Sequence, residues 1–322
     1  MRKCCFVIPY FGKLPNYFKL FLKTCEKNSD FNWIIFTDDS EEYNLPNNVR
    51  IIKMTFAELK QLIQSKFDFQ ISLEKPYKLC DYKPAYGYIF EKYLSEYRFW
   101  GHCDLDIIIG DMKKYITEEL LSEYDKIFCL GHMILYKNTL ENNTLFMKEF
   151  NEKVLYREVF TTDKICVFDE TCRNNENVNS IFLKYSKKIY AKDLSLNFNI
   201  EYTKFIKTTL NPNNYTFENE KYKEALYLWK NGKIIRLFLE NNQIKKEEFL
   251  YAHFQQRKMK IDERVLEEDC FKFVPNKFMI LEEPNIDIKN FKKIKKSTIC
   301  FHKIEMHVRW KINKLKKLLN KK

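Results

Sequence analysis

The sequence predicts an α/β fold with a mainly parallel sheet flanked by helices. In the first 130 residues, strand-like segments alternate with helix-like segments, an order typical of parallel strands joined by helices. The strand-like segments are near-continuous apolar runs, as expected for strands that are covered on both faces. A content of 45% hydrophobic and 16% aromatic residues excludes a disordered chain.

Each element follows from its local pattern of apolar and turn-forming residues. Strands are expected at residues 4–9, 32–36, 49–54, 99–109 and 126–130. Helices are expected at residues 17–25, 56–64, 81–97 and 143–154, and Thr55 is placed to cap the second of them. The later chain is less regular, with an Asn- and Lys-rich stretch at 171–220 and a hairpin at 225–239 that turns at Asn231-Gly232.

The cysteines and the hydropathy pattern limit the class of protein. The ten cysteines form no CxxC pair and no His cluster accompanies them, so a zinc site is not indicated. They are typical of free thiols in a reducing compartment. No apolar run reaches the length of a membrane span. We therefore expect a cytoplasmic protein.

Two aspartates interrupt an apolar segment at FWGHCDLDIIIGDM (99–112). On an extended backbone Asp104 and Asp106 point to the same face, and ligands of α/β sheets gather at strand ends. Paired carboxylates suit Mg²⁺ or Mn²⁺; the alternative is a DxD that alternates outward on a half-buried strand. Far downstream, His253 is either a third metal ligand or a structural histidine, and Arg257 or Lys258 is placed to meet a diphosphate.

The order of these blocks resembles the GT-A-fold nucleotide-sugar glycosyltransferases, most closely those of bacterial capsule and lipopolysaccharide loci. The resemblance spans about residues 3–260. It is carried by VIPYFG (7–12), WIIFTDD (33–39), KPYKLCDYKPAYG (75–87), FWGHCDLDIIIGD (99–111), CLGHMILYKN (129–138), VFDE (167–170) and YAHFQQRKM (251–259). Of these, only the DxD is specific to the wider fold.

The resemblance implies a Rossmann-like donor site. The residues implied in base and ribose binding are Pro9, Tyr10, Phe11, Thr37, Asp38 and Asp39; those that line the sugar-nucleotide pocket are Lys78, Asp81 and Lys83. Asp104 is implied to contact the ribose or the metal, Asp106 the metal directly, and His253 is implied to close the metal shell. Ordinary turn chemistry at strand ends is the alternative for the first group.

The sequence also contains candidates for acid–base chemistry. If the reaction inverts the anomeric carbon, a base must deprotonate the acceptor hydroxyl, and Asp169 and Glu170 of VFDE are the best candidates. His132, in the Gly-His turn after a predicted strand, is placed to face the acceptor or the donor sugar. Hydrogen-bonded structural roles are the alternative for Asp169 and His132.

The resemblance and these residues together imply a metal-dependent glycosyltransferase. It would move a sugar from a nucleoside-diphosphate donor, UDP-hexose, to a glycan or lipid-linked glycan in surface polysaccharide synthesis, with Mn²⁺ or Mg²⁺ as the cofactor. The alternatives are a metal-dependent phosphoryl-transfer or hydrolytic enzyme and a membrane-associated scaffold. The predicted division is a transferase domain at 1–260, a connecting segment at 261–296 and a tail at 297–322.

The tail carries the positive charge of the chain. Residues 289–322 contain thirteen Lys or Arg and one acid, a net charge of +12 that equals that of the whole protein. Apolar residues at 301, 304, 308, 312, 315 and 319 form a helical stripe, with Ser297 or Thr298 as a possible cap and Trp310 on its flank. Such a helix is typical of proteins that bind anionic membranes, here at the inner face of the cell membrane. The alternative is a helix docked on the body; no specific nucleic-acid binding is expected, because the body is neutral.

Overall fold

The computed structural model describes residues 2–170, 175–211, 214, 216–296 and 299–319, with side chains described as far as residue 312 in the last segment. The chain divides into two compact units. The first comprises Met1–Leu105, Met112–Asp193 and Leu210–Thr216, and the second comprises Asp106–Asp111, Leu194–Thr209 and Phe217–Lys322. Both units are therefore built from separate stretches of the sequence.

The strands of the described residues are numbered in chain order. They are β1 (Arg2–Pro9), β2 (Phe31–Thr37), β3 (Val49–Lys53), β4 (Tyr97–Cys103), β5 (Ile107–Ile109), β6 (Lys126–Ile127), β7 (Met133–Lys137), β8 (Ile189–Tyr190), β9 (Ser195–Asn197), β10 (Thr208–Asn211), β11 (Thr216–Asn219), β12 (Ala225–Lys230), β13 (Lys233–Glu240), β14 (Gln243–Phe249), β15 (Tyr251–His253), β16 (Lys260–Ile261), β17 (Cys270–Val274) and β18 (Lys277–Ile280).

The helices are mostly short. They are α1 (Phe18–Glu26), α2 (Phe56–Gln64), α3 (Leu79–Tyr82), α4 (Tyr86–Ile89), α5 (Glu91–Leu94), α6 (Met112–Tyr115), α7 (Glu118–Glu123), α8 (Leu140–Thr144), α9 (Leu155–Phe160), α10 (Val178–Lys184), α11 (Ile288–Ile294) and α12 (His302–Leu319), with 3-10 turns at Pro76–Lys78, Lys83–Ala85, Leu145–Met147 and Glu263–Leu266.

The first unit is built on a seven-stranded sheet in the order β3-β2-β1-β4-β7-β6-β8. β1 pairs in parallel with β2 and β4, β2 with β3, and β6 with β8, whereas β7 runs antiparallel to β4 and β6. Consecutive residues Cys4–Val7 of the interior strand β1 are all fully buried, which requires cover on both faces of the sheet. The predicted α/β class, with a mainly parallel sheet flanked by helices, is confirmed.

The best-predicted helix is α2, whose bounds match the expectation. Thr55 accepts a hydrogen bond from the Glu58 amide, and the Glu58 side chain accepts one from the Thr55 amide, which completes a capping box. The sequence states both signals locally: a hydroxyl at the cap and an acid three residues later. This explains why the helix can be located without tertiary information.

The single helix predicted at 81–97 is wrong. The segment instead consists of α3, a 3-10 turn containing Pro84, α4 and α5, and β4 already begins at Tyr97. Proline lacks the amide that an uninterrupted helix needs. Gly87 is kept small by packing, since a Cβ there would lie 2.3 Å from the Trp100 ring.

The single strand predicted at 99–109 is also wrong, because it breaks at the DxD. β4 ends at Cys103 and belongs to the seven-stranded sheet, whereas β5 begins at Ile107 and pairs with β15. Asp104–Leu105–Asp106 form a bend between them. The alternation argument assumed that the two carboxylates lie on one extended strand, and the break shows that they do not.

Two further predictions fail for reasons of backbone conformation. The helix expected at 143–154 is replaced by α8 and a 3-10 turn, after which Asn151 and Glu152 adopt positive φ values of 50° and 63°. The strand expected at 126–130 stops after Ile127, because Phe128 has a φ of 70°. Such left-handed residues cannot continue a helix or a strand.

The second unit contains a six-stranded sheet, in the order β14-β13-β12-β17-β18-β16, and a three-stranded sheet, in the order β5-β15-β9. The predicted hairpin is confirmed, since β12 and β13 pair around Asn231 and Gly232, with φ values of 49° and 76°. An aromatic cluster lies in the interior of the second unit: Phe198, Phe205, Tyr227, Phe254 and Phe273.

The predicted C-terminal helix is present as α12. Its His302 and Met306 are buried, whereas the apolar stripe faces outward: Phe301, Ile304, Val308 and Ile312 are 60%, 63%, 50% and 46% exposed. The two proposed capping residues, Ser297 and Thr298, lie outside the described residues. Among the helices described here, none combines the length and apolar character needed to cross a membrane.

Candidate functional site

The loops that follow β1 and β2 line an open polar cavity in the first unit. Because β1 and β2 are parallel, with Pro9 opposite Phe36, the loops that follow them leave the sheet at the same edge. The cavity has a volume of about 500 Å³. It is lined by Gly12, Lys13, Asp38, Asp39, Ser40 and Glu41. A nucleotide pocket after the first two strands, which the sequence resemblance implies, stays a prediction.

Asp38 and Asp39 fix the loop after β1. The Gly12 amide donates to Asp38 Oδ1 at 2.7 Å, and the Leu14 amide donates to Asp39 Oδ2 at 2.7 Å. Hydrogen bonds from the Glu41 and Leu14 amides lower the pKa of Asp39. These hydrogen bonds thus stabilise the conformation of the loop, which was the turn-chemistry alternative for Asp38 and Asp39.

Lys83 joins two carboxylates in the first unit. Its Nζ lies 2.9 Å from Asp104 Oδ1 and 3.3 Å from Asp169 Oδ2, and it donates to the Gly131 carbonyl at 2.8 Å. The Asp104 amide donates to the His132 carbonyl at 3.1 Å. Three residues predicted separately, Lys83, Asp104 and Asp169, therefore form one charged cluster beside the Gly131-His132 turn.

Burial and charge act in opposite directions on this cluster. Burial disfavours the charged form of Lys83, but Asp104 and Asp169 outweigh it and raise the pKa of Lys83 well above its usual range. For Asp169, burial is the largest effect and is only partly offset by Lys83, so the pKa of this carboxyl is raised to about 7. Asp169 can therefore exchange a proton near neutral pH.

Close packing at Gly131 holds Asp169 in place. A Cβ added to Gly131 would lie 2.3 Å from Asp169 Oδ2 and 2.9 Å from Glu170. Glycine is thus the residue that allows the carboxylate to approach this backbone. Glu170 itself is half-buried, and its amide donates to the Val167 carbonyl at 3.2 Å.

Lys78 and Asp81, which were predicted to line the donor pocket, lie buried and anchor the VFDE segment. Lys78 Nζ and Asp81 Oδ2 are 2.7 Å apart. Asp81 also accepts hydrogen bonds from the amides of Cys166 at 2.9 Å and Phe168 at 3.0 Å. These bonds position the backbone immediately before Asp169, so the observed contacts of this pair are structural.

Asp106 and His253 face each other in the second unit. β5 and β15 pair with Ile107 opposite His253, which brings the preceding Asp106 alongside. The Asp106 Oδ1 to His253 Nε2 distance is 3.4 Å, and Asp106 Oδ2 accepts the Gln256 amide at 2.6 Å. Burial tends to raise the pKa of Asp106, but His253 and the Gln256 amide outweigh it and hold that pKa below its usual range.

The other face of the His253 ring meets residues that the sequence analysis did not single out. His253 Nδ1 lies 2.9 Å from Asn197 Oδ1, and Gln255 Nε2 donates to the same oxygen at 2.9 Å. Asn197 is 50 or more residues away in sequence and reaches His253 only through the parallel pairing of β9 with β15. No local motif marks such a contact.

Arg257 and Lys258, the predicted diphosphate contacts, differ in setting. Arg257 is buried, and its guanidinium donates to the carbonyls of Asn199 at 2.9 Å and Thr203 at 3.3 Å. Burial lowers the pKa of Arg257 to about 10. Lys258 is exposed. Arg257 thus anchors the 199–203 loop, and a diphosphate contact from either residue stays a prediction.

Together these features define an α/β protein with a Lys83-bridged acidic cluster in one unit and an acid–histidine pair in the other. The chain belongs to a family of unknown function (DUF6625), which matches residues 6–282. No curated protein matches the sequence.

Similar solved structures include the galactosyltransferase LgtC in complex with donor and acceptor sugar analogs, at 10% identity and a TM-score of 0.34, covering 60% of this chain and 75% of that one. An active-site mutant of LgtC gives the same identity and TM-score, covering 60% and 74%. The glycosyltransferase GlyE of Streptococcus pneumoniae TIGR4 has 10% identity and a TM-score of 0.29, covering 63% and 48%. Because the sequence identities and the TM-scores are both low, the site is interpreted below from this chain's own residues.

Proposed function

We propose that this protein is a metal-dependent glycosyltransferase. It transfers a hexose from a UDP-linked donor to a hydroxyl of a glycan or lipid-linked glycan in surface polysaccharide synthesis. The observation that carries the proposal is the Asp106–His253 pair, in which a carboxylate oxygen and an imidazole nitrogen face each other at 3.4 Å. This pair joins the end of the DxD to the HFQQR segment, the two blocks that the sequence resemblance connects through a metal.

The donor set fits Mn²⁺ or Mg²⁺. Asp106 and His253 of the second unit offer a carboxylate and an imidazole to a metal ion, and Asp104, two residues earlier in the chain, is the third ligand that the sequence predicts. Two carboxylates and one imidazole leave coordination positions for diphosphate oxygens, as these cations require. A bound divalent cation would neutralise the charge that develops on the diphosphate leaving group.

The cavity after β1 and β2 is the proposed site of the nucleoside. Its volume of about 500 Å³ lies within the range of small-molecule sites. Asp38 and Asp39 both line it, and their hydrogen bonds to the Gly12 and Leu14 amides give its wall a fixed shape. Pro9, Tyr10, Phe11 and Thr37 belong to the same strand ends, where the Tyr10 amide donates to the Phe36 carbonyl at 2.8 Å.

Asp169 is the proposed general base for an inverting reaction. A carboxyl with a pKa of about 7 is half-ionised near neutral pH, which suits proton abstraction from a sugar hydroxyl. Lys83, 3.3 Å away, stabilises the ionised form. Glu170 and His132, next to Asp169 and Gly131 respectively, are proposed to contact sugar hydroxyls.

The tail is proposed to hold the enzyme at an anionic membrane surface, the inner face of the cell membrane. The apolar stripe of α12 is exposed at Phe301, Ile304, Val308 and Ile312, and the segment 289–322 carries a net charge of +12. This combination supports interfacial binding. A lipid-linked acceptor would lie on the same surface.

Calorimetry with UDP, GDP, CDP and ADP, each with and without Mn²⁺, tests the proposal. We expect one nucleotide, UDP, to bind in a Mn²⁺-dependent manner. Loss of an outer-shell partner typically weakens metal binding by about 10–100-fold. Asp106→Asn changes a proposed direct ligand, so it should weaken nucleotide binding by more than this, with an unchanged circular dichroism spectrum. The matched control is Asp30→Asn, a surface aspartate 3.6 Å from Lys113, which should bind normally. Absence of binding across the panel, or full binding by Asp106→Asn, would contradict the proposal.

A further inference from the structure

A buried hydrogen-bond network in the second unit determines which nitrogen of His253 carries its proton. We propose that Asn197 and Gln255 are positioning residues that hold His253 with Nδ1 protonated and Nε2 directed at Asp106 and the cation. The inference rests on the proposed function only in naming the cation. The tautomer itself follows from this chain's own contacts.

The direction of each hydrogen bond follows from a backbone amide, which can only donate. The Ile200 amide donates to Gln255 Oε1 at 2.8 Å, so the other end of this side chain, Nε2, must be the group that faces Asn197. Gln255 Nε2 donates to Asn197 Oδ1 at 2.9 Å. The same oxygen faces His253 Nδ1 at 2.9 Å, and an oxygen acceptor requires a proton on that nitrogen.

The network is buried, so the loss of one of its hydrogen bonds is costly. Asn197 is 2% exposed and His253 is 7% exposed, so solvent is a poor substitute for a lost partner. The pairing of β9 with β15 sets Asn197 beside His253 in register. A 180° flip of the imidazole would place Cδ2 instead of Nδ1 against Asn197 Oδ1 and break this hydrogen bond, which is unfavourable in a buried site.

The turn that presents Gln255 is itself strained. Gln255 and Gln256 have φ values of 48° and 59°, and the Arg257 amide closes the turn onto the Phe254 carbonyl at 3.1 Å. Two consecutive left-handed residues are normally Asn or Gly, and each such residue costs about 1–3 kcal/mol. This turn directs the side-chain amide of Gln255 to Asn197 Oδ1 and the backbone amide of Gln256 to Asp106 Oδ2. One turn thus orients both Asp106 and His253.

The network extends to the C-terminal helix. His302, at the first residue of α12, lies with Nε2 2.7 Å from the Ile200 carbonyl, which makes Nε2 the protonated nitrogen of that ring. Ile200 is thus held on both sides, by His302 at its carbonyl and by Gln255 at its amide. The start of α12 steadies the outer end of the same chain of hydrogen bonds.

This tautomer prepares His253 for a cation. With the proton on Nδ1, Nε2 is the ring nitrogen that faces Asp106 Oδ1, at 3.4 Å. A divalent cation bound there would take both atoms as ligands. Outer-shell partners of metal-binding histidines set ring orientation and tautomer in this way.

Two measurements test the inference. ¹⁵N spectra of the metal-free, ¹⁵N-histidine-labelled protein, with the His253 signals assigned from His253→Gln, should show a protonated Nδ1. Mn²⁺ calorimetry should show a roughly 10–100-fold loss of affinity in Asn197→Ala and in Gln255→Ala. Asn197→Asp, which keeps the accepting oxygen, should retain affinity. The control is Asn199→Ala, whose side chain contacts Asn219 and the Glu201 amide instead.

The outcomes separate this inference from the proposed function. Wild-type protein that binds no Mn²⁺ overturns the proposed function, and the ¹⁵N spectra still decide the tautomer. A proton on Nε2 in place of Nδ1, or unchanged Mn²⁺ affinity in the folded Asn197→Ala and Gln255→Ala variants, overturns the inference. If Asn197→Ala does not fold, Gln255→Ala, which leaves Asn197 Oδ1 in place, provides the affinity measurement.

Discussion

At the scale of single residues, Asp169 shows how burial can create a group that titrates near neutral pH. Its carboxyl is 2% exposed and lies beside Lys83. The ion pair alone would lower its pKa, but desolvation has the larger effect and raises it to about 7. Gly131 leaves room for this carboxyl beside the backbone, since a Cβ there would lie 2.3 Å from Asp169 Oδ2.

This shift predicts the pH dependence of turnover. A general base acts in its ionised form, so kcat/KM with a UDP-hexose should rise with pH and level off above about 7. Asp169→Asn should remove this limb of the profile and lower turnover by about 10²–10⁴-fold. The control Asp30→Asn should keep the wild-type profile. A rising limb that persists in Asp169→Asn would assign it to another group.

The same shift predicts a stability effect of definite sign. Between the ordinary aspartate pKa of 3.8 and about 7, folded Asp169 keeps a proton that the unfolded chain has released. Its contribution to the free energy of unfolding therefore falls as pH rises through this window. Urea unfolding of wild type and Asp169→Asn across the window measures this: the slope should be smaller in the variant.

The candidate metal ligands illustrate what single residues reveal in sequence. Asp104, Asp106 and His253 were grouped from the DxD, the downstream histidine and the family resemblance, and their metal role stays a proposal. The contact of Asp106 with His253 is found in the structure. Asn197 could not be identified, because its amide contacts His253 only through strand pairing. Asparagine is also common in this chain's loops, so its type carries no signal.

At the scale of elements, strands and helices could be located where residues close in sequence determine the backbone conformation. The apolar runs located β1, β2 and β3, and the Thr55–Glu58 box located α2. Prediction failed where backbone conformation depends on tertiary contacts. The break at Asp104–Leu105–Asp106 arises because β4 and β5 join different sheets, and an apolar pattern does not report which sheet a strand joins.

The strained turn at Gln255 and Gln256 supports a prediction about stability. Gln256→Gly should raise the free energy of unfolding by about 0.5–1 kcal/mol, because glycine adopts a φ of 59° without steric cost. The substitution keeps the backbone amide that donates to Asp106, so Mn²⁺ affinity should be unchanged. Urea denaturation and calorimetry measure the two effects.

A matched change outside the turn completes that test. Lys258→Gly, an exposed neighbour without a positive φ among those described, should lower stability, because glycine increases the entropy of the unfolded chain. Lower stability in Gln256→Gly as well would show that the turn is not strained in solution.

At the scale of the whole molecule, the two units interleave along the sequence. The second unit takes 106–111 from the middle of the first, so the chain passes from one unit to the other between Leu105 and Asp106. Composition reports no such exchange, because both units contain similar apolar strands. The division of the chain at residues 260 and 296 stays a prediction. The charge distribution, by contrast, is fully visible in sequence and marks the tail.

The tail supports a prediction that separates docking from membrane binding. α12 uses one side to pack, through His302 and Met306, and presents another side with Phe301, Ile304 and Val308 exposed. Since the exposed side chains make little contribution to folding, Ile304→Glu with Val308→Glu should leave the thermal unfolding midpoint unchanged. The same change should abolish co-sedimentation with vesicles containing anionic phospholipid, because it removes apolar area and adds negative charge.

The control for this change is Leu140→Glu, which alters an even more exposed apolar side chain (79% exposed) outside the tail. It should bind vesicles as the wild type does. Wild-type binding should also weaken with added salt and with neutral lipid, since a net charge of +12 in 289–322 contributes through a screened interaction. If the double variant still binds, the apolar stripe is not the membrane contact. If it unfolds instead, the stripe packs in solution and α12 is a docked structural helix.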